Sequence, residues 1–186
     1  DQSPTIRPVV WRAPNYQPQL LPGPASGYDQ GAAADVSDDG RIIVGNFVVS
    51  GTQKFALWRD GVLDTNMLQF NGLFRAISRD GVPIGAFSVG GSVRWTPQRG
   101  FESLGGFYAA SASQGAQQVV GFVSDIGLRA VYWDSCGSIV LDAPNNTSEL
   151  YAVSNDGRIA AGTARRGVYA IRWKRERGFL DGLEDL

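Results

Sequence analysis

Histidine is missing from this 186-residue chain. Its absence removes the usual general base, the usual activator of a nucleophile and the commonest metal ligand at once. Cysteine occurs once, as Cys136. That excludes a disulfide framework and a cysteine cluster for zinc, and the lone thiol reads as a small apolar filler or an exposed bystander. An excess of either charge is missing too. The net charge is −1, so no global field attracts nucleic acid. No run approaches the ~18 apolar residues of a membrane-spanning helix. From this inventory neither a cofactor nor a metal is expected. No signal peptide is visible, and the chain begins at Asp1 without Met, which suits a processed mature chain and a tag-cleaved product alike.

Glycine, in contrast, is abundant, with 24 residues, and it marks every apparent strand break. Many tight turns between short strands point to an all-β fold. Hydrophobic residues make up 43% and charged residues 19%, a balance that supports a packed core. No stretch holds a 3.6-residue apolar rhythm.

One order of signals recurs four times: a small residue, V-S, a polar turn, an apolar run ending in Gly, and a strand closing on Trp. It runs through Ala34–Trp58, Ala76–Trp95, Ala112–Trp133 and Ala152–Trp173. Tryptophans stand at 11, 58, 95, 133 and 173, in steps of 47, 37, 38 and 40. The in-strand glycines Gly45, Gly85, Gly121 and Gly162 keep the same period. A strand glycine marks a bulge or a close approach of neighbouring backbone. A period near 40 with two hairpins per unit predicts a radial β array, because one four-stranded unit cannot bury its own faces. The division is a half unit 9–31 and repeats 32–73, 74–107, 108–150 and 151–186, in one domain spanning 1–186. The third copy carries Gln114-Gly115-Ala116 where the others have an Asp-Gly turn. Nine hairpins, or eighteen strands, do not make a whole number of four-stranded blades. The expectation is a β-propeller-like array of about 4.5 repeats. The alternative is an open β array closed by oligomerisation through its exposed edges.

These segments resemble the HAF-type extracellular repeat of bacterial secreted and surface proteins, including autotransporter passenger regions. The match runs through Val10-Trp11, Leu20–Gly23, Ala33–Gly40, Ile42–Gly45 and Phe55–Trp58, and recurs to Leu180. The family's histidine is absent from every copy. The resemblance implies extracytoplasmic exposure and a propeller-like array, and it implies no particular activity.

Trp11, Trp58, Trp95, Trp133 and Trp173 read as blade anchors, or alternatively as stacking platforms for sugars. Asp38, Asp39, Asp80 and Asp156 sit in S-x-D-G turns that resemble the turn motif of sialidase-type propellers, where the acid is structural. One acid per turn does not make a calcium site. Asp60 with Asp64 and Asp134 with Asp142 are carboxylate pairs for acid–base work, but sequence spacing does not place either pair across a cleft. No catalytic residue is assigned, and a sialidase-like hydrolase or lyase is the third reading. Asn145 and Asn146 open two overlapping glycosylation sequons that read as ordinary loop.

Charge is most uneven in the last repeat, where Arg158, Arg165, Arg166, Arg172, Lys174, Arg175 and Arg177 hold seven of the 17 cations. Arg predominates, which suits bidentate anion recognition. Arg165, Arg166, Lys174, Arg175 and Arg177 are the candidate binding residues, with a solvated edge paired to Glu184 and Asp185 as the plainer reading. The leading expectation is a non-enzymatic binding or scaffold protein, secreted or at the cell surface, whose partner is an anionic glycan or a protein. A structural subunit of a surface or virion assembly, joined by open sheet edges, is the alternative. No nucleic acid and no membrane span are expected.

Overall fold

A computed structural model describes residues 6–124, 127–141, 147–164, 169–176 and 179–185; for 169, 176 and 179–185 it describes the backbone only. Eighteen strands lie among these residues. The first two, β1 (Val9–Trp11) and β2 (Pro18–Leu20), form a small hairpin sheet. Four antiparallel meanders follow, each of four strands in chain order. The first blade is β3 (Gln30–Val36), β4 (Ile42–Val49), β5 (Thr52–Arg59) and β6 (Val62–Leu63). The second is β7 (Gly72–Ile77), β8 (Pro83–Phe87), β9 (Ser92–Thr96) and β10 (Gly100–Gly105). The third is β11 (Tyr108–Ala112), β12 (Val119–Ser124), β13 (Leu128–Asp134) and β14 (Gly137–Leu141). The fourth is β15 (Ser148–Val153), β16 (Ile159–Ala164), β17 (Tyr169–Glu176) and β18 (Phe179–Asp185). The acidic end is therefore the outer strand of the last blade rather than a tail.

Each in-strand glycine has the same cause. The first strand of every blade carries a register shift, at Ala33/Asp35, Phe74/Ala76, Ala109/Ser111 and Leu150/Ala152. The bulge drives its backbone onto the second strand. A Cβ at Gly45, Gly85, Gly121 or Gly162 would stand 1.8–2.1 Å from a carbonyl oxygen of that first strand. Only glycine fits.

Blades stack through four apolar clusters. Leu21, Phe47 and Trp58 join the half unit to the first blade. Val44, Phe55 and Phe74 join the first to the second. Ile84, Ala109 and Val131 join the second to the third. Val120, Leu150 and Trp173 join the third to the fourth. Single polar contacts stitch the same interfaces. The Ile77 amide donates to Asp35 Oδ2 at 3.0 Å, and the Ala109 amide to Ser92 Oγ at 2.8 Å. The Ala130 amide donates to Ser148 Oγ at 3.0 Å. Among the described residues, β1 pairs with β2 alone and the last blade completes its own four strands. The half unit therefore does not share a blade with C-terminal strands.

Candidate functional site

The turns joining the first and second strands of every blade gather at one end of the array. Each is built on a serine. Ser37 Oγ donates to Asp39 Oδ1 at 2.6 Å and accepts the Ile42 amide at 3.0 Å. Ser78 does the same with Asp80 and Val82, at 2.8 and 2.9 Å. Ser154 repeats it with Asp156 and Ile159, at 2.6 and 3.0 Å. The glycine that follows donates its amide back to the serine carbonyl, and Gly40, Gly81 and Gly157 all take positive φ. In the third blade Ser113 Oγ donates to Gln118 Oε1 at 2.7 Å and accepts the Gln118 amide at 2.9 Å. The side chain of Gln118 thus replaces the missing aspartate, and a short 3-10 turn over Gln114–Ala116 replaces the Asp-Gly step.

Stacking binds these turns to one another. The Gly115 amide donates to Asp80 Oδ1 at 2.7 Å, and the Gln114 amide donates to the Asn155 carbonyl at 3.0 Å. Asp38 forms an ion pair with Arg79 of the next blade. Together they line an open recess of about 650 Å³, whose wall includes Asp38, Asp39, Arg79, Asp80, Gln114 and Asn155. Hydrogen bonds from the Ser37 hydroxyl and the Arg41 amide hold the Asp39 carboxyl below its usual pKa. Desolvation raises that of Asp80, but the Gly115 amide and Ser78 hydroxyl outweigh it, and the net shift is downward. These carboxylates remain charged throughout the neutral range. No group of three or more potential metal-ligating side chains occurs among the described residues.

Spacing within one repeat cannot reveal this recess, because each turn contributes only a fragment. The signal available in sequence was the recurrence of S-x-D-G at the period of the blades.

The other candidates fall elsewhere. Trp58 is fully buried and donates its Nε1–H to the Pro22 carbonyl at 2.8 Å. Trp173 is buried, while Trp95 and Trp133 are half-buried in the interfaces behind them. Trp11 is 57% exposed, because no blade stacks on the outer side of the half unit among the described residues. The tryptophans do not converge on one ring-shaped platform. Arg175 is engaged inside the protein. Its Nη2 meets Asp134 Oδ2 at 3.0 Å, its Nη1 donates to the Tyr132 hydroxyl at 2.9 Å, and its guanidinium lies 5.6 Å from the Tyr132 ring centre. Expected as a binding residue, Arg175 has its guanidinium paired with Asp134 and 32% of its side chain exposed. Lys174 is half-buried in β17. Arg165, Arg166 and Arg177 lie outside the described residues, as do Asp142, Asn145 and Asn146. Asp60 is held by a bidentate pair with Arg41, at 2.8 and 2.9 Å, and Asp64 caps a 3-10 turn over Thr65–Gln69.

No family model matches the sequence, and no curated protein is similar to it by sequence. Solved structures are similar in fold. TolB from Acinetobacter baumannii superposes with a TM-score of 0.56 at 14% identity, over 91% of this chain and 46% of that one. A chain of a nidogen/laminin complex superposes at 0.51 and 12% identity, over 91% of this chain and 68% of that one. The fold is a β-propeller array. This chain spans about half the length of the TolB chain it matches. No helix among its described residues is long and apolar enough to cross a membrane.

Proposed function

We propose that the chain is a non-enzymatic, extracytoplasmic binding domain of the HAF-type repeat class, whose turn-lined recess receives a basic segment of a protein partner. The observation that carries this reading is the convergence of Asp38, Asp39 and Asp80 on one wall, against Arg79 alone as a lining cation. Three negative charges and one positive leave a formal balance of −2. Such a wall attracts a cationic side chain and repels an anionic glycan. Serine hydroxyls and backbone amides hold Asp39 and Asp80 as hydrogen-bond acceptors at the recess wall, an arrangement that suits attraction of a cation. The similar fold determined in a nidogen/laminin complex supports a protein as the partner class, and the HAF-type resemblance supports exposure outside the cytoplasm.

The test is calorimetric titration with an Arg/Lys-rich peptide and, separately, a sulfated oligosaccharide. The peptide should bind, more weakly at high salt. Asp38→Lys should weaken it roughly tenfold, about 1.4 kcal/mol, because Asp38 is exposed and its carboxylate takes no part in the serine turn. Binding of the oligosaccharide alone, or peptide binding indifferent to Asp38→Lys, would refute the reading.

A further inference from the structure

Four residues of the turn-lined recess stand at one and the same place in the repeat. The x of Ser-x-Asp-Gly is Asp38, Arg79 and Asn155, and Gln114 follows the turn serine of the third blade. All four line the recess, whose wall runs from Ser37 to Asn155 and takes nothing from either end of the sequence. The rest of each turn is occupied by the turn itself. Serine and aspartate bond each other, serine also bonds the returning strand, and glycine reverses the chain. Only x differs among the three Ser-x-Asp-Gly turns, so x sets what the recess can recognise.

Backbone contacts across the blade boundaries fix where these residues stand. The Asp38 amide donates to the Arg79 carbonyl at 3.4 Å, and the Gln114 amide to the Asn155 carbonyl at 3.0 Å. The Gly115 amide joins the second blade to the third through Asp80 Oδ1. The four x residues therefore follow one another along the wall in chain order. Their chemistry divides it. Asp38 and Arg79, an ion pair, make a charged part together with Asp39 and Asp80. Gln114 and Asn155 make a neutral part, and both are exposed. The carboxamide of Gln118, in the same turn as Gln114, is held by Ser113. Those of Gln114 and Asn155 take no hydrogen bond among the described residues.

We infer that Gln114 and Asn155 bind the main chain of the partner, so that the recess takes an extended basic peptide by its side chain at one part and by its backbone at the other. A carboxamide offers one carbonyl acceptor and an NH2 donor, the complement of a peptide group's C=O and N–H. The recess, at about 650 Å³, is larger than one lysine or arginine side chain fills. A cation seated against Asp38 and Asp80 thus brings its own peptide groups to the carboxamides. The inference rests on the reading of the recess as a site for a basic segment. It adds what that segment presents beside its charge, which a polyamine of equal charge lacks.

The probes are a blocked Lys/Arg/Gly peptide, the same peptide with N-methylated backbone amides, and spermine, each titrated calorimetrically into the full chain and into Gln114→Ala and Asn155→Ala. The unmodified peptide should bind the parent best. Backbone methylation and each variant should weaken binding about three- to tenfold, the loss of one or two hydrogen bonds. The salt dependence should stay the same in both variants, because no charge is altered, and so should the thermal midpoint, because both positions are exposed. Spermine should bind parent and variants alike. The side-chain amide NMR signals of Gln114 and Asn155 should shift with the peptide and not with spermine. If the unmodified peptide binds and responds to Asp38→Lys while both alanine variants bind it as the parent does, this inference alone is overturned, and the recess holds a cation only. If the unmodified peptide fails to bind at millimolar concentration, the reading of the recess falls and the inference with it.

Discussion

Truncating Trp58 tests the stacking argument most directly, with Trp11 as its internal control. The two occupy equivalent strand positions, yet Trp58 is 0% exposed and Trp11 57%. A buried indole removes about 200 Å² from water, or about 5 kcal/mol gross at ~25 cal/mol/Å². A compact unfolded chain lowers that figure. The cavity left beside Phe47, whose ring centre lies 5.5 Å away, restores part of it. Loss of the Nε1–H bond strands the Pro22 carbonyl, at about 1 kcal/mol. Trp58→Ala should therefore cost about 4–5 kcal/mol, within the range known for buried aromatic truncation. At about 2–4 °C per kcal/mol for a chain of this size, the thermal midpoint should fall by roughly 10–15 °C. Trp11→Ala should cost about 1 kcal/mol or less, as an exposed substitution does. Urea unfolding followed by circular dichroism measures both. If Trp11→Ala destabilises as much as Trp58→Ala, equivalent positions are not distinguished by the blade stacked on them, and the reasoning fails.

Gly121→Ala should destabilise by about 3 kcal/mol or more, because its Cβ would meet the Tyr108 carbonyl oxygen at 1.9 Å and both partners are backbone. Gly106→Ala, with nothing within 4 Å of its Cβ and no positive φ, should be neutral or slightly stabilising; equal urea midpoints for the two would refute the close-approach account. Acid should loosen the serine turns. The carboxyls of Asp39, Asp80 and Asp156 are shifted below their ordinary 3.8 in the folded chain, so their contribution is present above the unfolded pKa and disappears as pH falls through the folded values. A carboxyl NMR titration placing all three at or above 3.8 would contradict this.

Much of the architecture was legible because it is written within single repeats. Tryptophan spacing, S-x-D-G turns and in-strand glycines are local signals, and each corresponds to a strand, a turn or a bulge. What escaped is what forms only when repeats stack. The sequence shows Gln118 two residues after the broken turn Gln114–Ala116, but not that its side chain takes the aspartate's place. It shows acids in separate turns, but not that Asp38, Arg79 and Asp80 share a wall. Trp11 matches Trp58 in sequence, and the two differ because the half unit covers Trp58 while nothing among the described residues covers Trp11.

The prevalence of arginine takes on a different meaning in three dimensions. In sequence it pointed to anion recognition in the last repeat. In the folded chain a guanidinium repeatedly covers an aromatic ring of an adjoining blade. Arg59 lies 5.4 Å from the centre of Trp95, Arg94 5.2 Å from Trp133, and Arg175 5.6 Å from Tyr132. Arg94 also bonds Glu102 and the Ala116 carbonyl, at 3.1 and 3.0 Å. A flat, weakly hydrated guanidinium can stack and hydrogen-bond at once, which a lysine ammonium cannot. The interfaces change character along the chain to match. Phe55, Phe74, Phe87 and Phe101 pack together between the first two blades, whereas Tyr132, Asp134 and Arg175 clamp the last two. Part of the arginine signal thus belongs to blade stacking.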